Sequence, residues 1–137
     1  MTPLRIRVYL EDTDAGGIVY HASYLRFLER TRTEYLRSVG LEQSRTFALD
    51  VSFVVHSMNL DFHKPALLDA ELEVTCALVE AKGARLVFHQ IVRDVTSGVN
   101  YVSAGVTVAC IALSTKKPRR LPVEVISAIG PARIVAG

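Results

Sequence analysis

The run Glu11-Asp12-Thr13-Asp14-Ala15-Gly16-Gly17-Ile18-Val19-Tyr20-His21 gathers the residues of this chain best suited to chemistry. It sets acids and a glycine pair directly ahead of a segment patterned as an amphipathic helix. Backbone N–H groups at a helix start lack an intrahelical acceptor and together carry about half a positive charge, so a carboxylate and a polarised carbonyl can both be held there. That is the arrangement of a hydrolytic site. Gly16 and Gly17 permit left-handed backbone and let a ligand approach closely, which a Cβ at either position would hinder. The same residues also make an ordinary strand-to-helix turn with a capping acid, because Asp and Gly are common loop residues.

The elements that must position this loop are readable from periodicity. Leu4 to Leu10 alternates apolar and polar residues, the period of a half-buried strand. From Ser23, read as the N-cap, Tyr24, Phe27, Leu28, Thr31, Tyr35 and Leu36 recur at spacings of three and four, with Arg26, Glu29, Arg30, Arg32, Glu34 and Arg37 on the other faces. Gly40 ends this helix, with Leu41 as the hydrophobic partner of a glycine cap, and a short irregular or helical piece runs through Phe47. Val51 to Phe62 reads as extended and is closed by Lys64-Pro65. Leu72 to Ala81 and Ala84 to Asp94 form a hairpin about Lys82-Gly83, and Thr96-Ser97-Gly98 turns into a long strand from Val99 to about Ser114. The tail after Lys116 leaves the sheet, with a last helical turn near Val123 to Ile129. One long helix followed by a run of antiparallel strands implies an α+β domain, a curled antiparallel sheet wrapped around one long central helix.

The chain of 137 residues is long enough for one core and too short for two, so a single domain over 1–137 is expected. Half of it is hydrophobic and 22% is charged, the balance of a folded domain. A formal charge of +2 is too small to argue for nucleic acid. Apolar stretches such as Val106 to Leu113 fall short of the about 20 residues a membrane helix requires, so no membrane insertion is expected. Arginines interrupt the apolar residues of the N-terminus, unlike a signal peptide, which points to the cytoplasm. Cys76 and Cys110 have no C-x-x-C spacing and read as reduced core thiols.

Arg7-Val8-Tyr9 leads into Glu11 to His21, followed by Tyr24-Leu25 and Glu29-Arg30-Thr31-Arg32-Thr33-Glu34. In this pattern the chain bears a resemblance to the hotdog-fold thioesterases of the 4-hydroxybenzoyl-CoA thioesterase family, nearest the Tol-Pal-associated YbgC-type branch. The resemblance continues through Lys64-Pro65-Ala66, Leu68-Asp69, Leu86-Val87-Phe88 and Lys117-Pro118-Arg119-Arg120-Leu121-Pro122. It implies hydrolysis of acyl-CoA thioesters, with acyl carrier protein as a second candidate carrier. The essential carboxylate of the family falls on Asp14, and the backbone N–H at the helix start falls on His21. A thioester carbonyl is already electrophilic, so a positioned base or nucleophile and an oxyanion donor suffice. Asp14 is read as general base or as nucleophile, and His21 has its side chain available besides its backbone. Close relatives often carry tyrosine four residues before the acid; here that position is Leu10. The resemblance also implies a homodimer or homotetramer with sites shared between subunits.

The remaining polar residues divide into weaker candidates. Lys82 and Arg85 at the hairpin, and Lys116, Lys117, Arg119 and Arg120 in the tail, are candidates for the phosphates of coenzyme A, or plain solvated charges. Tyr20, Tyr24, Phe27, Val54 and Met58 are candidates for an apolar acyl pocket, and equally for plain core. No metal and no cofactor beyond the coenzyme A of the substrate are expected. Asp12, Asp14 and Gly17 imitate the opening of a calcium loop, but its twelfth position is Ser23 rather than Glu, and His56, His63 and His89 lack metal-ligand spacing. No G-x-S-x-G elbow supports a serine hydrolase. Two other functions compete: a hotdog dehydratase or hydratase, weakened because the helix offers Glu29 and Glu34 without a histidine, and a non-enzymatic acyl-thioester-binding or envelope-complex module. Asp12, two residues ahead of Asp14, reads as the start of the loop, with only a mild effect expected from its amide.

Overall fold

The structure, a computed structural model, describes residues 1–130. Strand β1 (Leu4–Arg7) buries Ile6 and turns Arg5 and Arg7 outward. Its alternation predicts strand through Leu10, yet β1 stops three residues earlier. Asp12 gives the reason: its Oδ2 accepts the Tyr9 N–H at 2.9 Å, Leu10–Asp12 folds into a single 3₁₀ turn, and Leu10 is left 74% exposed.

Helix α1 (Ser23–Ser38) presents Tyr24, Phe27, Leu28, Thr31 and Tyr35 to the core. Ser23 is its first residue rather than its cap, because the Ser23 hydroxyl donates to the Asp12 carbonyl at 3.1 Å and is spent on the loop. Arg32, expected on a solvent face, is 7% exposed. Its Nη1 donates to Gln90 Oε1 at 3.1 Å, and the fully buried Gln90 donates through Nε2 to the Leu28 carbonyl at 3.1 Å. A polar clamp at the centre of the core therefore fixes the helix on the sheet. The helix ends as its sequence predicts: Gly40 has φ +81°, and the N–H groups of Gly40 and Leu41 return to the carbonyls of Arg37 and Leu36 at 3.0 and 2.8 Å.

After α2 (Gln43–Ala48) come β2 (Val51–Phe62), β3 (Glu71–Val74), β4 (Ala77–Lys82), β5 (Arg85–Asp94) and β6 (Asn100–Ala112), then α3 (Val123–Ile129). All pairings are antiparallel, in the order β1-β3-β5-β6-β2, with β4 also on β5. Leu86, Phe88, Gln90 and Val92 of β5 and Val102, Ala104, Val106, Val108 and Cys110 of β6 form the buried face beneath α1, where Tyr35 meets Phe88 edge-on at 5.6 Å. This is the curled sheet about one helix that the sequence predicts. The strand expected over Leu72 to Ala81 is broken at Thr75-Cys76. There Thr75 Oγ1 replaces a backbone carbonyl as acceptor for the Ile91 N–H, at 3.0 Å. The last seven residues of the expected domain, 131–137, lie outside the described residues.

Candidate active site

The loop between β1 and α1 is tied at both ends. Asp12, 5% exposed, accepts the Tyr9 N–H on one carboxylate oxygen and Arg26 Nη2 on the other at 3.0 Å, while its carbonyl accepts the Tyr20 N–H at 2.9 Å. Asp12 is thus the anchor of the loop, a larger role than its place in the sequence suggests. On the far side, the Val19 N–H donates to the Ala66 carbonyl at 2.9 Å and Ile18 bridges to Leu67.

Between these ties sits Asp14, exposed, with its N–H donated to the Ile18 carbonyl at 2.9 Å and its carbonyl accepting the Gly17 N–H at 3.1 Å. Its Oδ1 accepts the Gly16 N–H at 2.8 Å. Asp14, His21 and Tyr24 line one cavity of about 400 Å³ with Ile18, Val19, Phe62, His63, Lys64 and Pro65. The Tyr20, Ser23, Tyr24 and Leu25 N–H groups all donate to backbone carbonyls, but among the described residues neither His21 nor Ala22 has an acceptor for its N–H. The first turn of the chain into α1 therefore offers unspent donors beside a carboxylate, and such donors stabilise developing negative charge. The Tyr24 hydroxyl accepts the Ala66 N–H at 3.3 Å, and burial raises its pKa, so it stays a neutral phenol.

The other sequence candidates fall in different places. Gly17, at φ +78°, makes the turn of the loop and accepts the Leu68 N–H, whereas Gly16 faces the Asp14 carboxylate; neither lines the cavity. Tyr20 lies tilted against the His21 ring, 4.6 Å between centroids, but is not part of the cavity wall. Phe27 is plain core. Lys82 and Arg85 line a separate groove of about 710 Å³ with His56, Ser57, Thr107 and Ala109. The tail reaches that hairpin, since the Leu121 N–H donates to the Gly83 carbonyl at 2.8 Å and the Arg119 N–H to the Cys110 carbonyl at 3.0 Å. The structure thus joins two cation groups far apart in sequence at one end of the sheet. Arg120 is exposed there. Arg119 is not free, because its Nη1 donates to the carbonyls of Leu49 and Asp50 at 3.0 and 3.1 Å. Arg85 pairs with Glu80 at 2.8 Å and holds that carboxyl below the usual carboxylate range.

Phe62, His63 and Lys64 were not singled out as pocket residues by the sequence. The Lys64-Pro65 break marked only a strand end, and nothing in a single sequence says that this end folds against the loop. His63 is held by Ser103 Oγ at 2.8 Å and by its own N–H on the Tyr101 carbonyl at 2.8 Å.

One long helix seated in a curled antiparallel sheet, its first turn opening on a cavity that holds a carboxylate, defines the hotdog class of thioesterase folds. Residues 8–129 match the Thioesterase-like superfamily, and the chain belongs to it. It is 44% identical to the acyl-CoA thioester hydrolase YbgC of Escherichia coli, over 89% of this chain and 90% of that protein. The acyl-CoA thioesterase YbgC of Haemophilus influenzae is likewise 44% identical, over 90% of each chain. A crystal structure of a probable thioesterase from Bartonella henselae superposes with a TM-score of 0.79 at 38% identity, over 88% of this chain and 98% of that one. Among the described residues no helix is long and apolar enough to cross a membrane.

Proposed function

We propose that this protein hydrolyses acyl-CoA thioesters, with Asp14 as the reacting carboxylate and the His21 N–H as the oxyanion donor. One observation carries the reading: Asp14 and the unspent His21 N–H border the same cavity. Asp14 draws a proton from water as hydroxide adds to the thioester carbonyl, the carbonyl oxygen takes the negative charge against the N–H, and collapse expels the thiolate, which recovers the proton. Direct attack by the carboxylate, giving an anhydride that water then opens, uses the same two groups. An oxyanion donor of this kind contributes roughly 3 kcal/mol to the transition state. No metal or further cofactor is needed. The experiment is release of free thiol from acyl-CoA with parallel detection of enoyl product. Thiol without enoyl supports the thioesterase; enoyl product means a dehydratase or hydratase; neither means a binding module.

The coenzyme A end is assigned to the cationic end of the sheet, through Lys82 and Arg120, since Arg85 is held by Glu80. Strand β6 runs from Ser103, beside His63, to Ala109, beside Arg85, a span of six residues or about 20 Å, the scale of an extended pantetheine arm. Lys82→Glu with Arg120→Glu should raise KM for acyl-CoA at least about fivefold and leave an acyl-pantetheine unchanged, whereas equal effects remove the assignment. The same cations suit an acidic acyl carrier protein as second carrier.

A second copy of the chain completes the assembly. β2 lies at the end of the strand order, twelve residues long and, among the described residues, unpaired on its outer side, with Val55 48% and Phe62 54% exposed. Such an edge demands cover, and Phe62 belongs to the Asp14 cavity, so the dimer closes the site. A fully active monomer in sedimentation at micromolar concentration contradicts this. The cytoplasm, where coenzyme A thioesters are made and used, is the compartment that fits.

A further inference from the structure

We infer that Gly16 is the positioning residue of the reaction, and that Asp14 reacts through Oδ2 alone. The inference rests on the thioesterase reading of Asp14 and adds how its carboxylate is aimed. Asp14 is exposed, and a solvated aspartate samples several rotamers. Here the residue is held at three points: N–H to Ile18, carbonyl to Gly17, and Oδ1 to the Gly16 N–H at 2.8 Å. The third bond fixes the side-chain torsions and spends one oxygen, so that among the described residues a single carboxylate oxygen without a partner is left for water or the thioester. An orientation set before substrate arrives lowers the barrier, and misplacement by about 1 Å costs on the order of a hundredfold.

The same geometry explains why residue 16 is glycine. A Cβ there would lie 3.3 Å from Asp14 Oδ1, closer than ordinary contact, so the carboxylate would have to shift by a few tenths of an ångström from its present aim. The φ of Gly16 is not in the left-handed region, unlike those of Gly17, Gly40, Gly83, Gly98 and Gly130. A left-handed φ therefore does not call for glycine at 16; the Asp14 carboxylate is what an added Cβ would crowd. Gly40, at φ +81° with open space around its missing Cβ, is the reverse case and lies at the far end of α1.

Gly16→Ala and Gly40→Ala separate the two roles. Gly16→Ala should lower kcat about tenfold or more on acyl-CoA, with KM within about twofold of wild type and the melting temperature unchanged. Gly40→Ala should lower the melting temperature and leave kcat alone. An unchanged kcat in Gly16→Ala overturns the inference. So does a loss of kcat matched by a rise in KM, which makes Gly16 a substrate contact, or by a fall in melting temperature, which makes it structural. Wild type and Asp14→Asn are measured alongside. If wild type releases thiol and Asp14→Asn does not, while Gly16→Ala behaves as wild type, only the positioning role fails.

Discussion

Asp12→Asn should damage this protein through its fold before its chemistry. The Asp12 carboxylate is buried and accepts from two directions, the Tyr9 N–H at 2.9 Å and Arg26 Nη2 at 3.0 Å. Asparagine keeps one acceptor and turns the other position into a donor, so one contact becomes donor against donor. A hydrogen bond to a charged acceptor contributes about 1.5–3 kcal/mol. The Arg26 side chain is 51% exposed, so the ion pair itself contributes less, about 0.5–1 kcal/mol. A loss of about 2 kcal/mol follows, which for a chain of this size lowers the melting temperature by roughly 6–10 °C. Because the Asp12 carbonyl also holds the Tyr20 N–H and the Ser23 hydroxyl, kcat should fall with it. Circular dichroism melts of Asp12→Asn and Arg26→Gln measure this, with Arg26→Gln costing under about 1 kcal/mol. A melting temperature for Asp12→Asn within about 2 °C of wild type refutes the anchoring role.

Two further predictions concern the core. Gln90→Leu strips the buried Arg32 of its hydrogen-bond acceptor and should cost about 2–3 kcal/mol, with Arg32→Met in the same chain restoring most of it; urea unfolding of the two single variants and the double shows whether the costs are coupled, and simple additivity contradicts the clamp. Burial pushes the Cys76 thiol from its ordinary value of 9.0 up to about 12. The folded state then holds this proton more tightly than the unfolded chain, so the stability it contributes is complete below pH 9.0 and is lost as pH rises toward about 12. Urea midpoints at pH 8 and about 10.5 should therefore diverge between wild type and Cys76→Ala, wild type losing more; parallel losses contradict the assignment.

The periodic elements were legible because one face of each meets one core. The α1 stripe, the Gly40 cap, β2 to its last residue and the α3 turn all follow from local pattern. Arg32 was not legible: arginine on a helix reads as solvent-facing, and only Gln90, fifty-eight residues away and buried beneath it, reverses that. The break at Thr75 depends on a side chain replacing a backbone acceptor, which no alternation reveals. In the site, Asp14 and His21 were found through a local motif and its resemblance, and Tyr24 through the helix stripe. Phe62, His63 and Lys64 arrive from the other end of the sheet and were missed, since a single strand end does not announce its neighbour. The cations divided likewise. Arg120 stays exposed, while Arg119 is taken by the carbonyls of Leu49 and Asp50, a contact across seventy residues.

Whether the Asp14 carboxylate carries the proposed hydrolysis is decided by kcat of Asp14→Asn on the best acyl-CoA substrate. Asparagine keeps an oxygen for the Gly16 N–H and so keeps the loop, while the charge and the basic oxygen are lost. The expected result is a fall in kcat of at least about a hundredfold, the scale of general-base assistance, with the melting temperature and the sedimentation of wild type. A variant that retains more than about a tenth of wild-type kcat contradicts the account, because loss of the base predicts far less.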